Sequence, residues 1–97
     1  MRKIVWAEDA LRDFNGAIFY IAKDNHLAAS VIADRIEVTA GELALLPTGH
    51  PGRVKGIYEK LVLKTPYIIA YALSDQAVTI VRVIHGRRNW QEDAWPE

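Results

Sequence analysis

The sequence predicts an α+β domain of order β-α-α-β-β-β, with a helical hairpin packed on an antiparallel sheet. Three observations predict it. Residues 65–90, TPYIIAYALSDQAVTIVRVIHGRRNW, read as two apolar strands joined by the polar break Ser74-Asp75-Gln76. Upstream, two stretches carry apolar residues at helical spacing. Between these blocks lies Pro47-Thr48-Gly49-His50-Pro51-Gly52, which ends a helix firmly.

Taken in order, Arg2 to Trp6 supplies a short first strand around Ile4-Val5-Trp6. Helix one covers about Glu8 to Lys23. Its acids Glu8 and Asp9 complement the helix dipole, and Leu11, Phe14, Ile18 and Ile21 recur along it. Phe19, Tyr20 and Ala22 form a second apolar sector, more than a two-layer fold needs, which points to a partner. Asn25 is placed to cap helix two, about His26 to Leu46, with the stripe Ala28, Ile32, Ile36, Thr39, Leu43 and Leu46. So short a connection makes the helices antiparallel neighbours.

Residues 47–56 read as a Pro/Gly loop carrying Arg53 and Lys55. Ile57 to Lys64 reads as a strand with Ile57, Glu59, Leu61 and Leu63 on an apolar face, and Tyr58, Lys60, Val62 and Lys64 on a lysine-bearing face. Tyr67 to Leu73 and Ala77 to Ile84 complete an antiparallel meander. Apolar residues on both faces of this last hairpin suggest a central place in a covered sheet. The partner of the first strand is not fixed by the pattern. The tail after Trp90 has no periodicity; Trp90 and Trp95 read either as anchors or as stacking platforms.

At 97 residues, 51% of them hydrophobic, the chain fits one globular domain spanning 1–97. It has no cysteine, which excludes disulfides and thiol catalysis and fits a cytoplasmic setting. The charged start MRKIVWAEDAL does not read as a signal peptide, and no apolar run is long enough to span a membrane. His26, His50 and His85 are far apart and lack metal-ligand spacing, and no glycine loop of phosphate-binding type occurs, so neither metal nor cofactor is expected.

Net charge is zero, yet charge is uneven. Residues 1–49 hold 5 Lys/Arg and 7 Asp/Glu, whereas residues 50–90 hold 7 and 2. Arg53, Lys55, Lys60, Arg82, His85, Arg87 and Arg88 all fall in the basic half. Gathered on one face they would hold an anionic partner, and His85 would serve as an acid or base. Read blandly, the lysines solubilise an open face, and Arg82 pairs with Glu59 across the sheet.

The chain resembles the RelE/ParE superfamily of bacterial toxins, and its ParE-like branch most closely. The resemblance rests on the opening strand, on Tyr20-Ile21-Ala22 and on Pro51-Gly52-Arg53-Val54. It continues through Lys64-Thr65-Pro66-Tyr67-Ile68-Ile69-Ala70-Tyr71 to Val81-Arg82-Val83-Ile84-His85-Gly86 and Trp90. It implies the toxin of a type II toxin–antitoxin system, with a helical hairpin on a sheet. A cognate ParD-like antitoxin would neutralise it, and operator DNA would be met only through that antitoxin. For the ParE-like branch the implied target is DNA gyrase and the chain is not an enzyme. The RelE-like alternative is a ribosome-dependent mRNA endoribonuclease, for which Arg53, Arg82 and His85 would be the catalytic set. That set is incomplete here: no tyrosine follows Tyr71, and Ala72 and Tyr58 stand where relatives often carry arginine. The implied target- or antitoxin-contacting residues are Arg53, Lys55, Tyr58, Lys60, Arg82, His85, Arg87, Arg88 and Trp90. The implied antitoxin groove is Phe14, Ile18, Phe19 and Tyr20.

Overall fold

The helical hairpin forms much as the pattern predicts. In the computed structural model, which describes residues 1–86, α1 (Glu8–Asp24) and α2 (His26–Leu45) are separated by Asn25 alone. Asn25 is extended; its N–H donates to the Ile21 carbonyl, closing α1, and its side chain accepts from Ala28 N at 3.0 Å, opening α2. One residue thus serves as stop and start. Leu46, expected in the α2 stripe, lies past the helix end and is exposed. Ala29, Ile36, Ala40, Leu43 and Ala44 are the α2 residues that are buried.

The strands are β1 (Lys3–Trp6), β2 (His50–Pro51), β3 (Tyr58–Leu61), β4 (Tyr67–Leu73) and β5 (Ala77–His85), in the spatial order β1-β5-β4-β3-β2. The meander β3-β4-β5 is antiparallel as expected. The sheet as a whole is mixed, because β1 runs parallel to β5 from Lys3↔Ala77 to Trp6↔Ile80. The helical pair and the meander between them give the long connection a parallel pairing needs. The loop expected at 47–56 contains β2, a two-residue edge strand paired with β3. Its brevity and its proline leave little edge for further pairing.

Both faces of the central hairpin are covered. On the helix side Tyr71, Ile69, Val78, Ile80 and Val83 pack with Ala10, Ile36 and Leu43. On the other side Ala70 and Ile84 are buried with Val54, Ile57, Ile68 and Val81 around them. A bulge makes this possible. Ala70 pairs with Arg82 but Tyr71 pairs with Ile80, so Val81 is the extra residue of β5. The inward phase therefore shifts from Val78 and Ile80 to Val83.

The expected faces of the β3 segment are reversed. Tyr58 and Val62 turn toward the helices, where Tyr58 stacks on Tyr71 at 5.7 Å between ring centroids. Ile57 packs on the opposite face, and Leu61 and Leu63 are 50% and 72% exposed. The large ring fills the core beside its cross-strand partner, and that fixes the phase. The strand stops at Leu61, short of the expected Lys64. A turn follows in which Thr65 N donates to the Val62 carbonyl and Lys64 takes φ 64°, a left-handed conformation that costs a non-glycine residue about 1 kcal/mol.

The loop before β3 lies tight on the sheet. Gly49 N donates to the buried Tyr71 hydroxyl at 2.9 Å. A Cβ at Gly49 would meet that oxygen at 2.5 Å and the Glu59 carbonyl at 2.7 Å. Gly49→Ala is expected to cost about 2 kcal/mol through overpacking, read as a lower urea midpoint at unchanged slope.

Candidate functional site

Where β1 stops, a carboxylate takes over the edge of β5. Ala7 N donates to the Ile80 carbonyl and the chain turns into α1. Beyond Ile80, Asp13 of α1 accepts from Val83 N at 3.0 Å, from Arg82 Nε at 2.7 Å and from Arg82 Nη2 at 3.1 Å. The bulge at Val81 re-aims Arg82 along the edge of the strand, within reach of this carboxylate. Both side chains are largely buried, and the bond to Asp13 raises the pKa of Arg82 above its ordinary value. The Arg82–Glu59 pairing weighed from the sequence does not form; each residue has another partner. Asp13 is a contact the sequence reading missed, and its spacing carried a signal. It lies three residues after buried Ala10 and four before half-buried Ala17, on the flank of the buried stripe.

Beside this pair a cleft of about 360 Å³ opens between α1 and β5, lined by Arg12, Gly16, Tyr20, Tyr67, Val83 and His85. The His85 ring meets the buried Tyr67 ring edge-on at 5.4 Å. Phe19 and Tyr20 are 68% and 70% exposed, whereas Phe14 packs edge-on against Trp6 at 5.6 Å and Ile18 is half-buried. The four groove residues therefore divide into two that face inward or sideways and two that face solvent.

The other arginine of the proposed set is held at the far side of the sheet. Arg53 donates to Glu59 three times: from its backbone N at 2.9 Å, from Nε at 2.9 Å and from Nη2 at 3.2 Å. Glu59 is 5% exposed. Burial alone would raise its pKa, but the hydrogen bonds and charge of Arg53, with His50 opposite it in β2, hold the carboxyl below the usual range. Gly52 lets the loop reach it, since a Cβ there would fall 2.7 Å from Glu59 Oε2.

Among the described residues the basic side chains do not gather on one face. Lys55 is exposed at the tip of the Arg53 loop. Lys60 borders a groove with Asp34, Arg35 and Glu42 of α2. Tyr58 is half-buried under the helices. Arg82 and His85 belong to the α1–β5 edge. Arg87, Arg88 and Trp90 lie outside the described residues, as does Trp95. Among the described residues no group of three or more His, Asp or Glu is placed to hold a metal ion, and no helix is long and apolar enough to cross a membrane.

Two outcomes test these contacts. Asp13→Ala removes the carboxylate that accepts from Arg82 and from the Val83 amide and is expected to cost about 3 kcal/mol of unfolding free energy, part of which Arg82→Met in the same chain recovers. The Glu59 contribution, from a lowered carboxylate pKa, is fully present above its ordinary value of 4.5 and is lost as pH falls through the folded value. Glu59→Gln should therefore lower stability at pH 7 by about 1–3 kcal/mol and flatten the acid limb of the stability profile below about pH 4.5.

Comparison with known proteins agrees with this architecture. Residues 4–90 match the family described as the ParE toxin of the type II toxin–antitoxin system parDE. A putative toxin, Y4kP, of Sinorhizobium fredii is 36% identical over 92 residues, 94% of this chain and 95% of that protein. Toxin RelE2 of Caulobacter vibrioides is 36% identical over 89 residues, 91% of this chain and 99% of that protein. Among solved structures, one of a chromosomal ParDE system from P. aeruginosa superposes with a TM-score of 0.78 at 17% identity, covering 88% of this chain and 96% of that one. The match along nearly the whole sequence, on a sheet and helical hairpin of the same fold, means that this chain belongs to the ParE toxin family of type II toxin–antitoxin systems.

Proposed function

We propose that this toxin acts by binding and inhibiting DNA gyrase, not by cutting RNA, and that a cognate ParD-like antitoxin holds it inactive. The observation that carries the reading is the state of the two arginines an RNA-cleaving site would draw on. Arg82 and Arg53 each donate side-chain bonds to both oxygens of a carboxylate, Asp13 and Glu59. Charge spent on a fixed anion is weakened as a stabiliser of a phosphorane-like transition state. No tyrosine follows Tyr71 to serve as acid or base, which leaves His85 as the remaining titratable group of that set.

The antitoxin reading is supported by the exposed aromatics Phe19 and Tyr20 beside the α1–β5 cleft, and by the ParDE system of the structural neighbour. An antitoxin segment laid there would cover Phe19, Tyr20 and His85. Lys55, Lys60, Arg87, Arg88 and Trp90 are the remaining candidates for target contact, and operator DNA would be reached through the antitoxin.

The second reading, ribosome-dependent cleavage of mRNA, is favoured by the name of the Caulobacter relative and by the closeness of Arg82 and His85 in β5. Purified protein added to gyrase supercoiling and to ribosome-bound mRNA separates the two. The expected result is loss of supercoiling with intact message. Message cut at discrete sites with supercoiling unaffected would overturn the gyrase reading.

A further inference from the structure

The outward strip of α1 is complementary to itself. At about 100° per residue, Glu8, Arg12, Gly16, Phe19 and Lys23 fall within about 80° of arc, one per turn along the helix. All five are exposed. The strip begins with an acid and ends with a base, with a glycine near its middle. Turned antiparallel about a two-fold axis between Asn15 and Gly16, it sets Glu8 opposite the second strip's Lys23. Arg12 then stands opposite Phe19, and Gly16 lies at the crossing.

Gly16 is a feature that the packing of residues 1–86 leaves unexplained. Mid-helix glycine costs about 1 kcal/mol relative to alanine. Among the described residues a Cβ at this position would meet nothing within 4 Å, so their packing does not call for its absence. A second helix crossing there does, because helix axes approach more closely where the contact residue is small. Phe19 is 68% exposed with Lys23 Nζ 5.2 Å from its ring centroid, which leaves the other ring face open to a cation from outside.

We propose that the free toxin associates with a second copy of itself through antiparallel contact of α1 with α1. Within one helix Glu8 pairs with Arg12 at 2.8 Å and both side chains stay exposed; only a second copy laid in reverse also sets Lys23 opposite that carboxylate, so charge pairing selects this occupant. The face is one helix of 17 residues, about 25 Å long, so the association is weak and concentration-dependent. It uses Phe19, which the proposed antitoxin surface also uses, so dimer and neutralised complex are alternatives on one face. Because the free toxin is measured alone, failure of this inference leaves the toxin and target readings untouched.

Sedimentation equilibrium of the purified chain tests it. The expected mass rises from 10.9 kDa toward twice that value as concentration increases. Lys23→Glu and Glu8→Lys should each weaken association at least about tenfold, and the double variant, which re-forms the opposite-charge pair with signs exchanged, should regain most of it. Gly16→Leu should weaken association while circular dichroism and thermal midpoint hold or rise, since leucine favours the helix. A monomer at every concentration overturns the proposal, as does a dimer that all four variants leave unchanged or a double variant no better than either single one.

Discussion

Asp13 is the contact on which the joining of the two layers turns. Helices pack on sheets through apolar area, which has no direction and allows sliding. A carboxylate that accepts from a strand amide and from both sides of a guanidinium fixes register as well as contact. It also meets a specific need. β1 covers β5 only as far as Ile80, and the Val83 amide would otherwise lie at a buried edge without an acceptor. The bulge at Val81, the end of β1 and the position of Asp13 on α1 are thus one arrangement seen from three elements.

Glu59 plays the corresponding part on the other flank. It fastens the loop before β3 to the sheet through Arg53, with Gly49 and Gly52 admitting the backbone where side chains would collide. Each flank therefore holds a charged pair made within the chain, and the basic half of the sequence is less basic in space than in order. Arg82 takes its anion from the helical half. A count of charges by segment could not show that, because the pairing crosses sixty-nine positions of chain.

Much of the architecture was legible because it is local. Helix spacing, the Asn25 break and the Ser74-Asp75-Gln76 turn each depend on neighbours in sequence, and all three hold. What escaped was set by distant partners. The phase of β3 turns on where the Tyr58 ring fits against Tyr71, and alternation alone is indifferent to which of two mixed faces goes inward. The partner of β1 lies near the other end of the described chain. At the candidate site, residue types were read correctly as basic, yet their mutual geometry was not in the spacing. Family resemblance supplied the identity of the fold and the toxin class, and the ion pairs of Arg53 and Arg82 supplied the chemistry that spacing lacked.

The parallel pairing of β1 with β5 bears on how the protein is made. Lys3 pairs with Ala77 and Trp6 with Ile80, so β1 waits for β5, which is made after both helices and the rest of the meander. Until β5 has emerged, β1 has no partner and α1 has neither Arg82 nor the Val83 amide to hold it. Such long-range closure is slow and comes late. A nascent chain therefore carries the helical hairpin with its apolar face uncovered until the sheet strands follow, and native structure waits for β5. The interval before folding is built into the strand order, and it is the period in which a helper chain would find the hairpin open.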